Sequence, residues 1–417
     1  MKAFFILLLC LLLPLSGCEK PAVSASASLI EEAKLPDNVR AMWITQFDMT
    51  LMCLDGDGQV RVQEAYEARV NLMVSKLRMI GVNTVFIQAR PNADALYPSS
   101  LFPASEYAVG KSGGEFRYDP FGILVDACKK GGISPHAWIN PLRAMKTDSA
   151  LAQNTAYPVG AWIASANTYG RYVVEVDGYY YLNPAYDEVR ALIADGAREI
   201  LRTYPVDGLH IDDYFYPTTD ASFDAGAFYE YQEKGGTQAL GDFRRAQTEA
   251  LVRTLSKLTR AEGRLFGVSP GGNTTRNYEE LYADVLSWCE QGLPDYLCPQ
   301  IYFGLEHQSH PFLEVCQGFD AWAQTYEIPL IVGMTLEKAA NACVGGEDRY
   351  AGTGNREWIE NDDVLARCLT LTKTLPSCRG VALFSYRLWF SPENGEEFTQ
   401  TAKECEALLP GLKEIAW

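Results

Sequence analysis

Eight short apolar segments, rich in β-branched residues, recur along this chain, and each is followed by a stretch with helical periodicity. The strand segments are Val39–Gln46, Asn83–Arg90, Ser134–Asn140, Gly208–Tyr214, Leu265–Gly272, Tyr296–Gly304, Pro329–Thr335 and Gly380–Arg387. Amphipathic stretches lie near 64–80, 119–131, 187–203, 240–262, 281–291, 313–326 and 361–375, with a last one near 395–408. Near-continuous apolar strands alternating with helices indicate a parallel sheet covered on its outer side. Eight such units in series favour closure, so the chain reads as an α/β protein with a (β/α)₈ TIM-barrel fold. The rival is an open doubly wound sheet, but the first strand is not followed by a GxGxxG turn.

The connections show which end of such a barrel works. Helix-to-strand links are short, as at Gly131-Gly132 and Pro205-Val206-Asp207, whereas the strand-to-helix links 91–118, 141–186, 215–239 and 336–360 are long. Long loops after the strands build the catalytic face of this fold; the opposite face serves stability.

The first residues carry an address. Lys2, the apolar run Phe4–Leu13 and then Leu15-Ser16-Gly17-Cys18 read as a secretory leader too short to span a bilayer once mature. Small residues just before a cysteine resemble a bacterial lipoprotein processing box, which implies cleavage before Cys18 and lipidation of its sulfur. The expected organisation is a leader over 1–17, a tether rich in Ala, Ser, Glu and Lys over 18–38, and the barrel over 39–410. The expected location is therefore the cell envelope, with the membrane reached only through the N-terminal lipid. Acidic side chains outnumber basic ones, 53 to 36, which disfavours nucleic acid as a partner. Nine cysteines remain beyond Cys18, an odd number without a CxxC pair, and they read mostly as buried thiols.

The sharpest chemical signal is in the fourth segment, where His210-Ile211-Asp212-Asp213 ends an apolar strand in two acids. Burying carboxylates is costly, so such a pair at the working end implies a task. Alternation sends Asp212 and Asp213 to different sides, and parity puts His210 with Asp212. Asp212 is the residue expected to face the barrel axis, as nucleophile or base, with Asp213 supporting it or exchanging roles. Other strand ends add Trp43, Gln88, Arg90, His136, Trp138, Asn140, Tyr214, Asn273, Gln300 and Tyr302 as candidate substrate contacts. Amides, Arg and aromatic rings around carboxylates suit a substrate with many hydroxyls.

Glycoside hydrolysis needs two carboxyl groups across the scissile bond. The candidates are Asp94, Glu106, Asp212, Asp213, Glu306 and Glu337; Asp94 and Glu306 lead for the general acid because both follow strands on the rim. No HxH follows the first strand, and the sequence holds no HExxH. No metal and no cofactor is therefore expected.

These segments resemble the glycosyl hydrolase-like 10 family of bacterial barrel proteins. The likeness runs through Val39–Thr45, Asn83–Pro91, Asp94–Ser99, Tyr118-Asp119-Pro120, His136–Pro141, Tyr181–Pro184, Asp207–Pro217, Phe266–Pro270 and Pro299–Tyr302. The resemblance implies a (β/α)₈ barrel in the envelope that hydrolyses peptidoglycan or a related polysaccharide. It also implies Asp94, His136, Asn140, Asp212, Asp213, Gln300 and Tyr302 as site-lining. Phe303, where many relatives carry Trp, and Gly271-Gly272-Asn273 depart from the family pattern and bear on sugar preference. Two other readings stay open: a glycan-binding surface lipoprotein without catalysis, and an α-glycosidase acting on a dietary or host glycan.

Overall fold

The computed structural model describes residues 33–417, Ser112 excepted; the leader, the processing box at Cys18 and most of the tether lie outside that range. Eight parallel strands close into a barrel: β1 Val39–Ile44, β2 Thr84–Arg90, β3 Ser134–Ile139, β4 Gly208–Ile211, β5 Leu265–Val268, β6 Tyr296–Leu297, β7 Leu330–Thr335 and β8 Cys378–Phe384. Each pairs with its sequence neighbours, and β1 pairs with β8 to close the ring. The fold expected from the alternation is the fold observed.

β4, β5 and β6 are shorter than expected. Pro270 and Pro299 lack the N–H a ladder needs, so pairing between β5, β6 and β7 dwindles to single bridges at Gln300, with Gly271 on one side and Gly333 on the other. The strands loosen where the working face begins.

The helix Asp187–Thr203 shows how the outer layer forms. Its buried Val189, Leu192, Ile193, Ala197, Ile200 and Leu201 recur at three- and four-residue spacing. Asp187 and Glu188 sit in its first turn and Arg202 in its last, matching the helix dipole. Tyr204 stops it, because a residue before proline avoids the helical region. Each fully buried branched side chain on that face contributes about 1.5–3 kcal/mol relative to exposure.

The barrel interior is filled by Trp43, Phe86, Trp138, Tyr296, Cys298 and Ile331. Tyr296 fits only because β5 places a glycine opposite it: a Cβ on Gly267 would stand 1.9 Å from the Tyr296 ring.

Two elements were not anticipated. A helix, Gln46–Cys53, starts at the end of β1, capped by Thr45 and Asp48 in a reciprocal box. In the loop after β3, Arg143–Lys146, Val173–Val176 and Tyr179–Leu182 form a small antiparallel sheet. Its hairpin turns on Asp177-Gly178, both with positive φ. At the other end, the last helix runs Ala402–Glu414, so a barrel boundary at 410 falls inside it. The nine described cysteines are all free, and eight are buried; Cys343 is exposed.

Candidate active site

The mouth of the barrel is built on Asp212, which follows β4 and is 3% exposed. Its Oδ2 accepts Trp138 Nε1 at 3.1 Å and the side-chain amide of Asn140. Its Oδ1 accepts only the backbone N–H of Tyr214, at 3.3 Å. Burial pushes the Asp212 carboxyl well above the ordinary range, and the neighbouring charge of Asp213 adds to the shift.

A chain of amides sets the orientation of Asn140. The backbone N–H of Gln46 donates to Gln88 Oε1 at 2.8 Å, and Gln88 Nε2 donates to Asn140 Oδ1 at 2.7 Å. Asn140 is thereby left with its NH₂ aimed at Asp212. Four successive strand ends, β1 to β4, thus determine how one carboxylate is held.

Asp213 points elsewhere, as alternation requires. Its Oδ1 accepts Gln300 Nε2 at 3.1 Å. Burial raises its carboxyl too, and the Gln300 bond opposes that rise.

Three depressions adjoin across the mouth. The central one, about 360 Å³, is lined by Asp212 with Trp43, Gln88, Trp138, Tyr302 and Phe384, and Glu337 stands at its exposed rim. A larger cleft of about 640 Å³ holds Asp213, Asn273 and Phe303; Gln300 and Tyr302 line both it and the central pocket. A third, about 420 Å³, contains Asp94 and Glu106, and meets the central one at Arg143. Arg143 packs over the Tyr214 ring, 4.7 Å from its centroid. Gly272 keeps the floor of the large cleft open, since a Cβ there would approach Phe303 to 2.7 Å.

Of the residues singled out in the sequence, Trp43, Gln88, Trp138, Asp212, Tyr214, Gln300 and Tyr302 meet in the central pocket, with Asn140 directly behind Asp212. Asp213 and Asn273 join them in the adjoining cleft. Asp94 is placed apart, in the third depression, where burial raises its carboxyl to about 6.

Four residues are not where the sequence reading put them. Arg90 is fully buried, against the Phe102 ring at 3.8 Å. The β2–β3 register shifts between Gln88 and Arg90, and that bulge turns Arg90 away from the mouth. His136 and His210 lie below the pocket rather than in it: both Nδ1 atoms hydrogen-bond Tyr296 Oη, at 2.9 and 3.0 Å. Burial lowers His136 to about 4 and pushes His210 well below its ordinary value, so both are neutral core groups. Glu306 is exposed, and it lines none of the three depressions. The Glu357 carboxylate takes the backbone N–H groups of Leu305 and Glu306 and turns that loop outward.

The sequence reading missed Phe384 and Phe47 as pocket walls. Two-residue alternation from Ala382, which is in the barrel interior, would have found Phe384. Phe47 gave no such signal, because the helix it belongs to was read as a strand end.

The sequence profile of Glycosyl hydrolase-like 10 matches residues 38–345. The chain belongs to that family. It is similar to Glycosyl hydrolase DigH of Escherichia coli (strain K12), 29% identical over 399 residues, covering 89% of this chain and 88% of that one. It is also similar to Glycosyl hydrolase YngK of Bacillus subtilis (strain 168), 27% identical over 387 residues, covering 87% of this chain and 71% of that one. Among solved structures, the PgaB (BpsB) glycoside hydrolase domain from Bordetella bronchiseptica superposes with a TM-score of 0.54 at 12% identity, covering 83% of this chain and 93% of that one. That likeness is one of fold. Among the described residues, no helix is long and apolar enough to cross a membrane.

Proposed function

We propose that this protein hydrolyses glycosidic bonds of an envelope polysaccharide of the peptidoglycan type, by acid/base chemistry centred on Asp212 and Asp213. The observation that carries the reading is the divergence of two consecutive carboxylates, Asp212 buried and Asp213 half-buried, into two adjoining depressions walled by amides and aromatic rings. Aromatic faces pack against the C–H faces of sugars, and side-chain amides match hydroxyls. Burial that raises a carboxyl favours its protonated form, which suits a group that gives a proton to a leaving oxygen. Family membership and two relatives named as glycosyl hydrolases support hydrolysis over other barrel chemistries.

The envelope location rests on Leu15-Ser16-Gly17-Cys18, read as a lipidation site. A Cys18→Ser variant that remained in the membrane fraction would remove that part of the proposal. For the chemistry, Asp212→Asn and Asp213→Asn are each assayed on purified glycan strands by release of reducing ends. Each is expected to lose at least ~100-fold in rate. Full activity in both would overturn the assignment.

A further inference from the structure

The central pocket offers an aromatic wall where a protein nucleophile would be sought. Asp212 and Asp213 are consecutive, with Cα atoms about 3.8 Å apart, so both carboxyls stand on the β4 side, Asp212 in the central pocket and Asp213 in the adjoining cleft. A double displacement by the protein needs carboxyl groups flanking the scissile bond. Among the other pocket walls, Trp43 meets Tyr302 edge-on at 6.5 Å and Phe384 at 6.0 Å, and Tyr302 lies 5.9 Å from Phe384. Glu337 stands at the exposed rim.

Asp212 is set up to receive one more donor. Its Oδ2 is occupied by Trp138 and Asn140, whereas Oδ1 has only the long contact from Tyr214. In its ionised form Asp212 has one open acceptor beside a small aromatic enclosure, which matches an acetamide: the N–H goes to Oδ1 and the methyl to the rings. Resting on the hydrolase reading, we infer that the sugar bound in the central pocket carries a 2-acetamido group, and that its own carbonyl oxygen is the nucleophile.

In the first step the acetamido oxygen bonds to C1 as the bond from C1 to the glycosidic oxygen breaks. Asp213, facing the adjoining cleft where the leaving sugar sits, gives its proton to that oxygen. The product on the pocket side is a cyclic oxazolinium, whose N–H⁺ is paired with the Asp212 carboxylate. Water then attacks C1 and passes a proton to Asp213, the bond from C1 to the former acetamido oxygen breaks, and the acetamide is restored with the anomeric configuration retained. Asp212 thus gains its counter-charge only as the reaction proceeds, which is how a costly buried carboxylate favours a transition state over a ground state.

The test uses the full chain and glycan strands that are de-N-acetylated and then re-acylated with acetyl, difluoroacetyl or trifluoroacetyl groups. Fluorine weakens the carbonyl as a nucleophile, so the rate is expected to fall along the series, on the order of 100-fold overall. A thiazoline analogue of the cyclised acetamido sugar is expected to inhibit competitively, and less well against Asp212→Asn. Equal rates across the acyl series with no thiazoline inhibition would overturn the inference while leaving the hydrolase reading intact. Absence of cleavage of every strand, the acetylated one included, would overturn the hydrolase reading itself.

Discussion

Asn140 presents its NH₂, not its carbonyl, to Asp212, because Gln88 Nε2 occupies the Asn140 oxygen at 2.7 Å. The consequence is a carboxylate whose angle is decided on neighbouring strands. Asn140→Ala should leave the fold intact and free Asp212 to rotate. A misplacement of about 1 Å at a reacting group can cost ~100-fold. We expect kcat on glycan strands to fall between ~10- and ~100-fold with KM within about twofold. A change confined to KM would show that Asn140 contacts substrate rather than positioning Asp212.

The same carboxylate should limit stability. Burial raises the Asp212 carboxyl in the fold above its ordinary value of 3.8, so the native state holds a proton that the unfolded chain gives up more readily. Stability from this source is complete below that ordinary value and declines as pH rises towards the raised folded value. Asp212→Asn removes the cost. Its Tm should exceed that of the parent at pH 8 and approach it at pH 4, while activity is lost. A Tm advantage that is independent of pH would contradict the ionisation argument.

How far this was legible can be traced through individual residues. The barrel was readable because near-continuous apolar runs and period-3.6 stretches alternate eight times, and Asp212 because a charge ends an apolar strand. Arg90 was misplaced because a one-residue bulge after Gln88 reverses its face, and sequence spacing carries no sign of a bulge. His136 and His210 share the axial parity of Trp138 and Asp212, but parity does not report depth, and they fill the layer below. The hairpin at Asp177-Gly178 did have a signature, an Asp-Gly pair between Val173–Val176 and Tyr179–Leu182, that went unread. Glu306 depended on a loop path fixed by Glu357, a contact 51 residues away in sequence.

The two core histidines predict an acid-sensitive fold. Burial lowers His136 to about 4 from 6.5, so between those values the unfolded chain takes up a proton that the native state refuses. The stabilisation is whole above pH 6.5 and is lost as pH falls through 4, amounting to about 3 kcal/mol. The raised carboxyls of Asp212 and Asp94 act with the opposite sign over part of this range, so the difference between variants is the informative quantity. His136→Gln should cost stability at pH 7 and recover much of that deficit by pH 4.5, measured by urea denaturation. A deficit of equal size at both values would show that His136 does not titrate between them.

Gly267 tests whether the polar layer under the site is as tightly packed as the geometry requires. A methyl group there would stand 1.9 Å from the Tyr296 ring, and Tyr296 Oη joins the two histidines. Moving that ring strains both hydrogen bonds as well as the stacking of Phe86 on His210, 4.0 Å between centroids. Overpacking of this kind costs about 1–3 kcal/mol, and Gly267→Ala should fall at or above the upper end. The midpoint in urea should drop with an unchanged slope. In a Tyr296→Leu background the obstructing ring is gone, and the same glycine substitution should cost less than half as much. Equal costs in the two backgrounds would mean that the barrel relieves the clash by moving the strand instead, and that the Tyr296 layer is not what requires glycine at 267.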